Sequence, residues 1–161
     1  MVTLILPLEV FYSKKKKFIL NLNNYRNAHY RVLSIAKKTY SDDLVEMIKN
    51  LFIKEKWDDI PRFDNPVDLE YVYYAKSNRR VDVSNPCSII DKFTCDALVK
   101  VGILEDDSSK QIKSITYVYG GVDKENPRCR LTIKEVWYDV SWTVERWFEE
   151  KEESLLGLAQ R

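Results

Sequence analysis

Short carboxylates are concentrated around what reads as the most hydrophobic helix of the chain, in the segment RRVDVSNPCSIIDKFTCDALVKVGILEDD. The side chains in this segment that could take part in metal binding or catalysis are Asp82, Asp91, Lys92, Asp106 and Asp107. Hard cations such as Mg²⁺ take oxygen ligands and keep several waters, so two or three carboxylates are enough to hold one. Such an ion activates a water and neutralises charge on a phosphoryl oxygen, and a lysine can stabilise the same charge. The set therefore suits metal-assisted hydrolysis of a phosphodiester.

An ordinary structural reading of the same residues stays open. An Asp before a helix is commonly a cap, and Asp-Asp after a helix is commonly a turn. A helix of about 14 residues is about 20 Å long, so Asp107 meets Asp82 only if the following chain doubles back beside the helix. A strand antiparallel to the helix could do this. Asp96 is interpreted as an exposed helical acid paired with Lys92 or Lys100.

Composition narrows the possible chemistry. The chain has 161 residues and is 45% hydrophobic, enough for one domain with a real core. Its 3 cysteines lack a C-x-x-C spacing, which favours reduced structural thiols. His29 is the single histidine, so a histidine-rich metal site is excluded. An apolar run of about 20 residues is missing, as is a basic leader, so we expect no membrane span and a cytoplasmic location.

Charge placement is more informative than the net charge of +1. Basic residues form the run Lys14, Lys15, Lys16 and Lys17 and the pair Arg79 and Arg80, whereas acid is concentrated in 145–153. If the basic groups share a face they could follow a phosphate backbone, and otherwise each is a solvated surface group.

Hydrophobic periodicity predicts the elements that must position these residues. They are a strand over 2–12, a turn over 21–27, a helix over 30–53, a strand over 67–76, a helix capped by Ser88 and stopped by Gly102, a hairpin of 112–121 with 128–138, and a helix over 142–159. The expected fold is a single α/β (α+β) domain with a small mixed sheet and helices packed on it.

Three segments resemble the RusA-like Holliday junction resolvases: RRVDVSN, DKFTCDALVKVGILEDDS and the Asn-rich LNLNNYRNAHY. That family shows an arginine-rich lead, Asp-x-Asp-Asn, a Lys four residues before DAL, and a Gly followed five residues on by the second Asp of DD. The resemblance covers about residues 2–136. It implies a nuclease domain over 1–138 and an acidic, Trp-containing helical extension over 139–161.

The resemblance assigns roles residue by residue. Asp82 matches the first family aspartate, Asn85 the asparagine, Lys92 the catalytic lysine and Asp107 the late catalytic aspartate. The second aspartate of the motif falls on Ser84, which is not a carboxylate.

About four extra residues also separate Asn85 from Lys92, roughly one helical turn. Asp91 lies in that insertion and is expected to replace the missing ligand beside Asp82 and Asp107, with Asp106 supporting Asp107.

The function implied by the resemblance is an Mg²⁺-dependent endonuclease, with Mn²⁺ as a substitute, that resolves four-way DNA junctions by paired symmetric nicks. A C2 homodimer would present two matching sites to the nearly two-fold junction. Arg79 and Arg80 would dock phosphates, whereas the Lys14–Lys17 run would touch a junction arm or form a solvated hairpin tip. Such a protein suits a phage or prophage acting in a bacterial host cell.

Two other functions stay open. One is a module that binds branched DNA with little or no cleavage, or recruits a partner through the Trp-rich tail, and Ser84 favours it slightly. The other is a nuclease that acts on flaps or Y-forks.

Overall fold

A computed structural model describes residues 1–54 and 60–137, in which strands and helices are interspersed along the chain. The strands are β1 (Val2–Leu6), β2 (Glu9–Ser13), β3 (Lys16–Ile19), β4 (Val67–Ala75), β5 (Ile112–Val122) and β6 (Arg128–Glu135). The helices are α1 (Leu22–Asn27), α2 (Tyr30–Lys54) and α3 (Ser84–Val101). The predicted α/β class, with a mixed sheet and packed helices, is confirmed.

The main sheet has the order β1-β6-β4-β5, with β4 parallel to β5 and antiparallel to β6. The predicted hairpin between the last two strands is therefore wrong, because β4 lies between them. Val67, Leu69 and Tyr71 of β4 are almost fully buried. A strand this apolar gains most in a central position, where both of its edges are hydrogen-bonded and its inner face is covered. Residues 123–127 consequently cross the end of β4.

The single strand predicted over 2–12 is also wrong in detail. Pro7 and Leu8 separate β1 from β2. This break is expected because Pro7 has no backbone N–H to donate to a sheet. β2 pairs with β3 as a separate two-stranded sheet that sequence analysis did not predict. Lys14 and Lys15 form its turn.

The existence of the two long helices was predicted more accurately than the residues at which the helices begin. The helix over 30–53 is confirmed as α2, and the stop at Gly102 is confirmed because this residue caps α3 with a φ of 84°. The predicted turn over 21–27 instead contains α1, whose N-terminus is capped by Asn21. α3 begins at Ser84, not after Ser88.

The early start of α3 includes Pro86. Proline is tolerated in a first helical turn because the N–H groups there have no partner within the helix.

One core joins the inner face of the sheet to the helices. Phe93 of α3 lies at its centre, stacked on Phe18 at 6.5 Å and in edge contact with Tyr25 and Tyr40. Tyr40 of α2 shares a 2.8 Å hydrogen bond with Thr94 of α3. α3 is thus fixed between α2 and the sheet.

The predicted helix over 142–159 and the proposed extension lie outside the described residues. In the described ranges, the helices are too short or too polar to cross a membrane.

Candidate functional site

Asp91, in the middle of α3, is the best-supported carboxylate of the predicted set. It is partly buried between the helix and the sheet. Its Oδ2 accepts a 3.0 Å hydrogen bond from the hydroxyl of Tyr117 on β5, and its Oδ1 accepts one of 3.2 Å from the thiol of Cys95. The Tyr71 hydroxyl of β4 lies 3.9 Å from the same thiol. Asp91 is therefore held by donors from its own helix and from the strand opposite.

The donors around Asp91 keep their protons at neutral pH. Burial raises the pKa of the Cys95 thiol well above its usual range, and the charges of Asp91 and Asp107 raise it further. Burial and then the Asp91 charge likewise raise the pKa of Tyr117. A protonated phenol and thiol can only orient the carboxylate and do not compete with it as bases.

Asp107 lies in the loop between α3 and β5. It is exposed, just before β5, and its charge acts on Cys95, one helical turn beyond Asp91. The neighbouring Asp106 accepts a 2.9 Å hydrogen bond from the backbone N–H of Ser108, and the side chain of Ser108, followed by this N–H, lowers the pKa of Asp106. Asp106 thus shapes the turn that carries Asp107, and its bond is to Ser108 rather than to Asp107.

Asp82 lies at the other end of the arrangement, where α3 begins. Its Oδ1 accepts hydrogen bonds from the Ser84 backbone N–H at 3.1 Å and from the Ser84 hydroxyl at 2.8 Å. Ser84, where the family motif has an aspartate, is here a donor that holds Asp82. The N-cap position of α3 is held by Val83, without a side-chain cap hydrogen bond, so Asp82 contacts the first residue of the helix but is not its cap.

Asp82 lies two residues before Ser84, the first residue of α3, whereas Asp91 lies inside the helix. Across residues 1–54 and 60–137, no group of three or more His, Cys, Asp or Glu is placed to hold a metal ion. Asp91 and Asp107 are two predicted carboxylates whose charges both raise the pKa of the Cys95 thiol.

Asp82 instead borders a second feature, a cavity of about 280 Å³ at the N-terminal end of α3. Asn85 links its two walls, because its Oδ1 accepts a 3.0 Å hydrogen bond from the backbone N–H of Leu22 at the start of α1. The lining residues are Leu8, Ile19, Leu20, Asn21, Asn23, Tyr73, Arg80, Val81, Asp82, Asn85 and Pro86. The Asn-rich segment and the RRVDVSN segment therefore meet here.

The predicted cations are exposed. Lys92 follows Asp91 on the outer side of α3, and in the described part of the chain it makes no ion pair or hydrogen bond. Arg79 and Arg80 are similarly free and flank a groove of about 470 Å³ bordered by Tyr119. These groups are available to an anion.

The lysine run behaves differently along its length. Lys14 and Lys15 form the tip of the β2–β3 hairpin, and Lys16 is exposed at the start of β3. Lys17 pairs with Glu9 across the same hairpin and lies 5.0 Å above the ring of Phe11. Lys17 thus has a structural role in the hairpin.

The expected pairing of Asp96 with Lys92 or Lys100 is wrong. Asp96 pairs at 2.5 Å with Lys37 of α2 rather than with a lysine of its own helix, and Lys100 pairs at 2.6 Å with Asp42. The charges on this side of α3 attach it to α2.

Sequence reasoning missed the donors around Asp91 and the amide lining of the cavity. Cys95 could have been found from its i+4 spacing to Asp91. Tyr117 could not, because its position opposite Tyr71 depends on the parallel pairing of β4 with β5. Asn21 was interpreted as part of a turn and of the Asn-rich segment that carries the resemblance, not as a residue lining a cavity.

Comparison with known proteins adds no assignment: no protein-family model matches the chain, and no curated protein matches it significantly.

Proposed function

We propose that the protein is an Mg²⁺-dependent endodeoxyribonuclease that resolves four-way DNA junctions by paired symmetric nicks. The observation that supports this most is Asp91, a partly buried carboxylate oriented by Tyr117 and Cys95, with the charge of Asp107 close by. Fixed carboxylates beside exposed cations are the groups that phosphodiester hydrolysis needs. The RusA-like motif order supplies the choice of branched DNA as substrate.

The donor set fits a hard cation. Asp91 and Asp107 offer only carboxylate oxygens, and Mg²⁺ bound near phosphates uses one or two carboxylates and keeps several waters. When bound, the ion would polarise a phosphoryl oxygen and lower the pKa of a bound water. Asp82, the predicted third ligand, lies before α3 and lines the cavity, so its part in metal binding stays a prediction.

The remaining groups act on the phosphate backbone. Lys92 has no partner in the described residues, so its ammonium group is free to stabilise negative charge developing on the scissile phosphate. Arg79 and Arg80 dock the neighbouring phosphates, which fixes register without reading sequence. Two nicks in opposed strands require two such sites, which a C2 homodimer provides.

Cleavage of labelled synthetic DNAs tests the proposal. A four-way junction, a linear duplex, a flap and a Y-fork are incubated with Mg²⁺ or Mn²⁺ and with the wild type, Asp91→Asn, Asp107→Asn or Lys92→Met. We expect paired nicks confined to the junction and a loss of at least about 100-fold in each variant. Asp96→Asn is the matched control, since it removes a carboxylate from the same helix whose partner is Lys37.

Two results would contradict the proposal. Cleavage of flaps or forks in preference to the junction would assign the looser nuclease function. Wild-type activity in both Asp91→Asn and Asp107→Asn would remove the assigned site.

A second function, binding of branched DNA without cleavage, is favoured by Ser84. Its hydroxyl donates to Asp82, so the N-terminal end of α3 carries one carboxylate where the family motif has two. Tight junction binding without a cut under either metal would assign this function. Ser84→Asp would then be the first variant to assay for restored cleavage.

A further inference from the structure

The cavity at the start of α3 has lining chemistry that the cleavage site does not use. It lies between the base of the β2–β3 hairpin, the Asn-rich start of α1 and the loop that carries Arg80. We name it the Asn pocket, after the three amides in its lining, Asn21, Asn23 and Asn85.

Two of these amides have a fixed orientation. The Oδ1 of Asn21 accepts a 2.8 Å hydrogen bond from the backbone N–H of Asn24, and the Oδ1 of Asn85 accepts one of 3.0 Å from the backbone N–H of Leu22. Because each oxygen is engaged, each Nδ2 is left as a donor. Neither Nδ2 has an acceptor among the described residues. Asn21 and Asn85 thus line the pocket with N–H₂ groups that have no acceptor among the described residues.

The rest of the lining argues against a phosphate as the occupant. The Asn pocket holds one cation, Arg80, and one carboxylate, Asp82, so its charges cancel and it attracts a phosphate less than a basic site does. Much of its remaining wall is apolar or aromatic, including Leu8, Ile19 and Tyr73. Apolar walls with a few fixed polar groups are typical of sites for flat organic ligands.

We propose that the Asn pocket receives one unstacked nucleobase at the branch point of the DNA. Asn21 and Asn85 donate to an acceptor on the edge of the base, and Arg80 contacts the adjoining phosphate. Extruding a base costs least where pairing is already disturbed, as at a branch. The pocket would then set the sequence preference of cleavage, whereas Asp91 and Asp107 set the chemistry. The inference rests on the proposed function.

The test exchanges a donor for an acceptor in Asn21→Asp. This variant keeps the Oδ1 that caps α1, replaces the N–H₂ group with an acceptor oxygen and adds a negative charge. Asn27→Asp is the control, because it adds the same charge at the other end of α1, outside the pocket lining. Relative cleavage rates are measured on junctions that carry every dinucleotide at the crossover, so that a general loss of DNA affinity cancels from the ratios.

A second readout does not need cleavage. Junctions with 2-aminopurine at the branch are titrated with the protein, with Ca²⁺ in place of Mg²⁺ because cleavage is not needed. A rise in 2-aminopurine fluorescence reports that the base leaves the stack. We expect this rise with the wild type and the control and its loss in Asn21→Asp. The cleavage preference of Asn21→Asp should shift about tenfold away from bases that offer an acceptor.

The outcomes separate the two proposals. Wild-type binding of junctions without a fluorescence rise, or an unchanged preference in Asn21→Asp, would overturn the base pocket alone. If Asn21→Asp weakened binding equally on every junction and left the sequence preference of cleavage unchanged, Asn21 would be assigned a phosphate contact. That result would also overturn the base pocket. Failure of the wild type to bind branched DNA would overturn both proposals.

Discussion

Asp91 shows how one residue acquires a defined role from its surroundings. Its spacing in the sequence fits either a helical surface acid or a ligand. In the fold, Tyr117 and Cys95 each donate to one of its oxygens, at 3.0 and 3.2 Å. Groups that donate to a ligating carboxylate restrict its orientation and tune its affinity for a metal. The site is therefore defined by what surrounds Asp91 as much as by the carboxylates themselves.

Replacing Tyr117 with Phe tests this role. The variant removes the hydroxyl that donates to Asp91 Oδ2 and keeps the ring that packs at 5.8 Å against Tyr71. We expect the Mg²⁺ concentration for half-maximal cleavage to rise about tenfold. Mn²⁺ binding by the free protein, measured by electron paramagnetic resonance, should weaken in parallel.

Tyr119→Phe is the matched control, since it removes an exposed phenol two residues along the same strand. If Tyr117→Phe bound Mn²⁺ like this control, orientation of Asp91 by the tyrosine would not contribute to metal binding.

Elements were predicted well where the signal is local. The periodicity of α2 and the glycine stop of α3 depend on residues close in sequence, and both predictions are confirmed. β4 lies between β5 and β6. This order depends on which of the strands takes the central position of the sheet, and the sequence of one strand alone does not predict that. The pairing of Tyr117 with Asp91 follows from that topology, so this part of the site could not be predicted.

The C-terminus of α3 offers a clean test of backbone conformation. Gly102 has a φ of 84°, and a Cβ added there would meet no atom within 4 Å. Gly102→Ala should therefore destabilise the fold by about 1 kcal/mol through the left-handed backbone alone. Gly102→Asn should cost less, because Asn tolerates this conformation. Urea unfolding followed by circular dichroism measures both, and equal stability of all three proteins would contradict the assignment of this cap.

The crossing between β5 and β6 predicts a pH dependence. A hydrogen bond and ion pair with Arg128, at 2.5 Å, are the main reason that the pKa of Asp123 lies below its ordinary value of 3.8. A carboxyl with a lowered pKa in the folded state contributes stability above its unfolded pKa and loses it as the pH falls through the folded value.

Asp123→Asn should therefore lower the melting temperature at pH 7, and the difference from the wild type should vanish at a pH below the folded pKa. Thermal unfolding between pH 7 and pH 2 measures this. Glu125→Gln is the control in the same loop, since the side chain of Glu125 has no partner among the described residues. A difference that persisted unchanged in acid would show that the charge of Asp123 is irrelevant.

At the scale of the molecule, a net charge of +1 cannot by itself attract DNA, so affinity must come from where the cations lie. Among the described residues Arg79 and Arg80 make no ion pair, and Arg80 lines the Asn pocket, whereas Lys17 pairs with Glu9. Each phosphate contact contributes about 0.9 to the slope of log affinity against log salt concentration. If the two arginines contact phosphates as proposed, they contribute a measurable part of the slope of log affinity against log salt concentration.

We expect the double variant Arg79→Ala with Arg80→Ala to reduce that slope by about 1.8, and Lys17→Ala to leave it nearly unchanged. Lys49→Ala with Lys134→Ala is the matched control, because both lysines are exposed and unpaired in the described residues but lie on α2 and β6, away from the pocket. Fluorescence anisotropy of a labelled junction at several salt concentrations measures each slope. Equal reductions in the two double variants would mean that DNA meets the protein without a preferred face, and the binding surface assigned to the start of α3 would then be wrong.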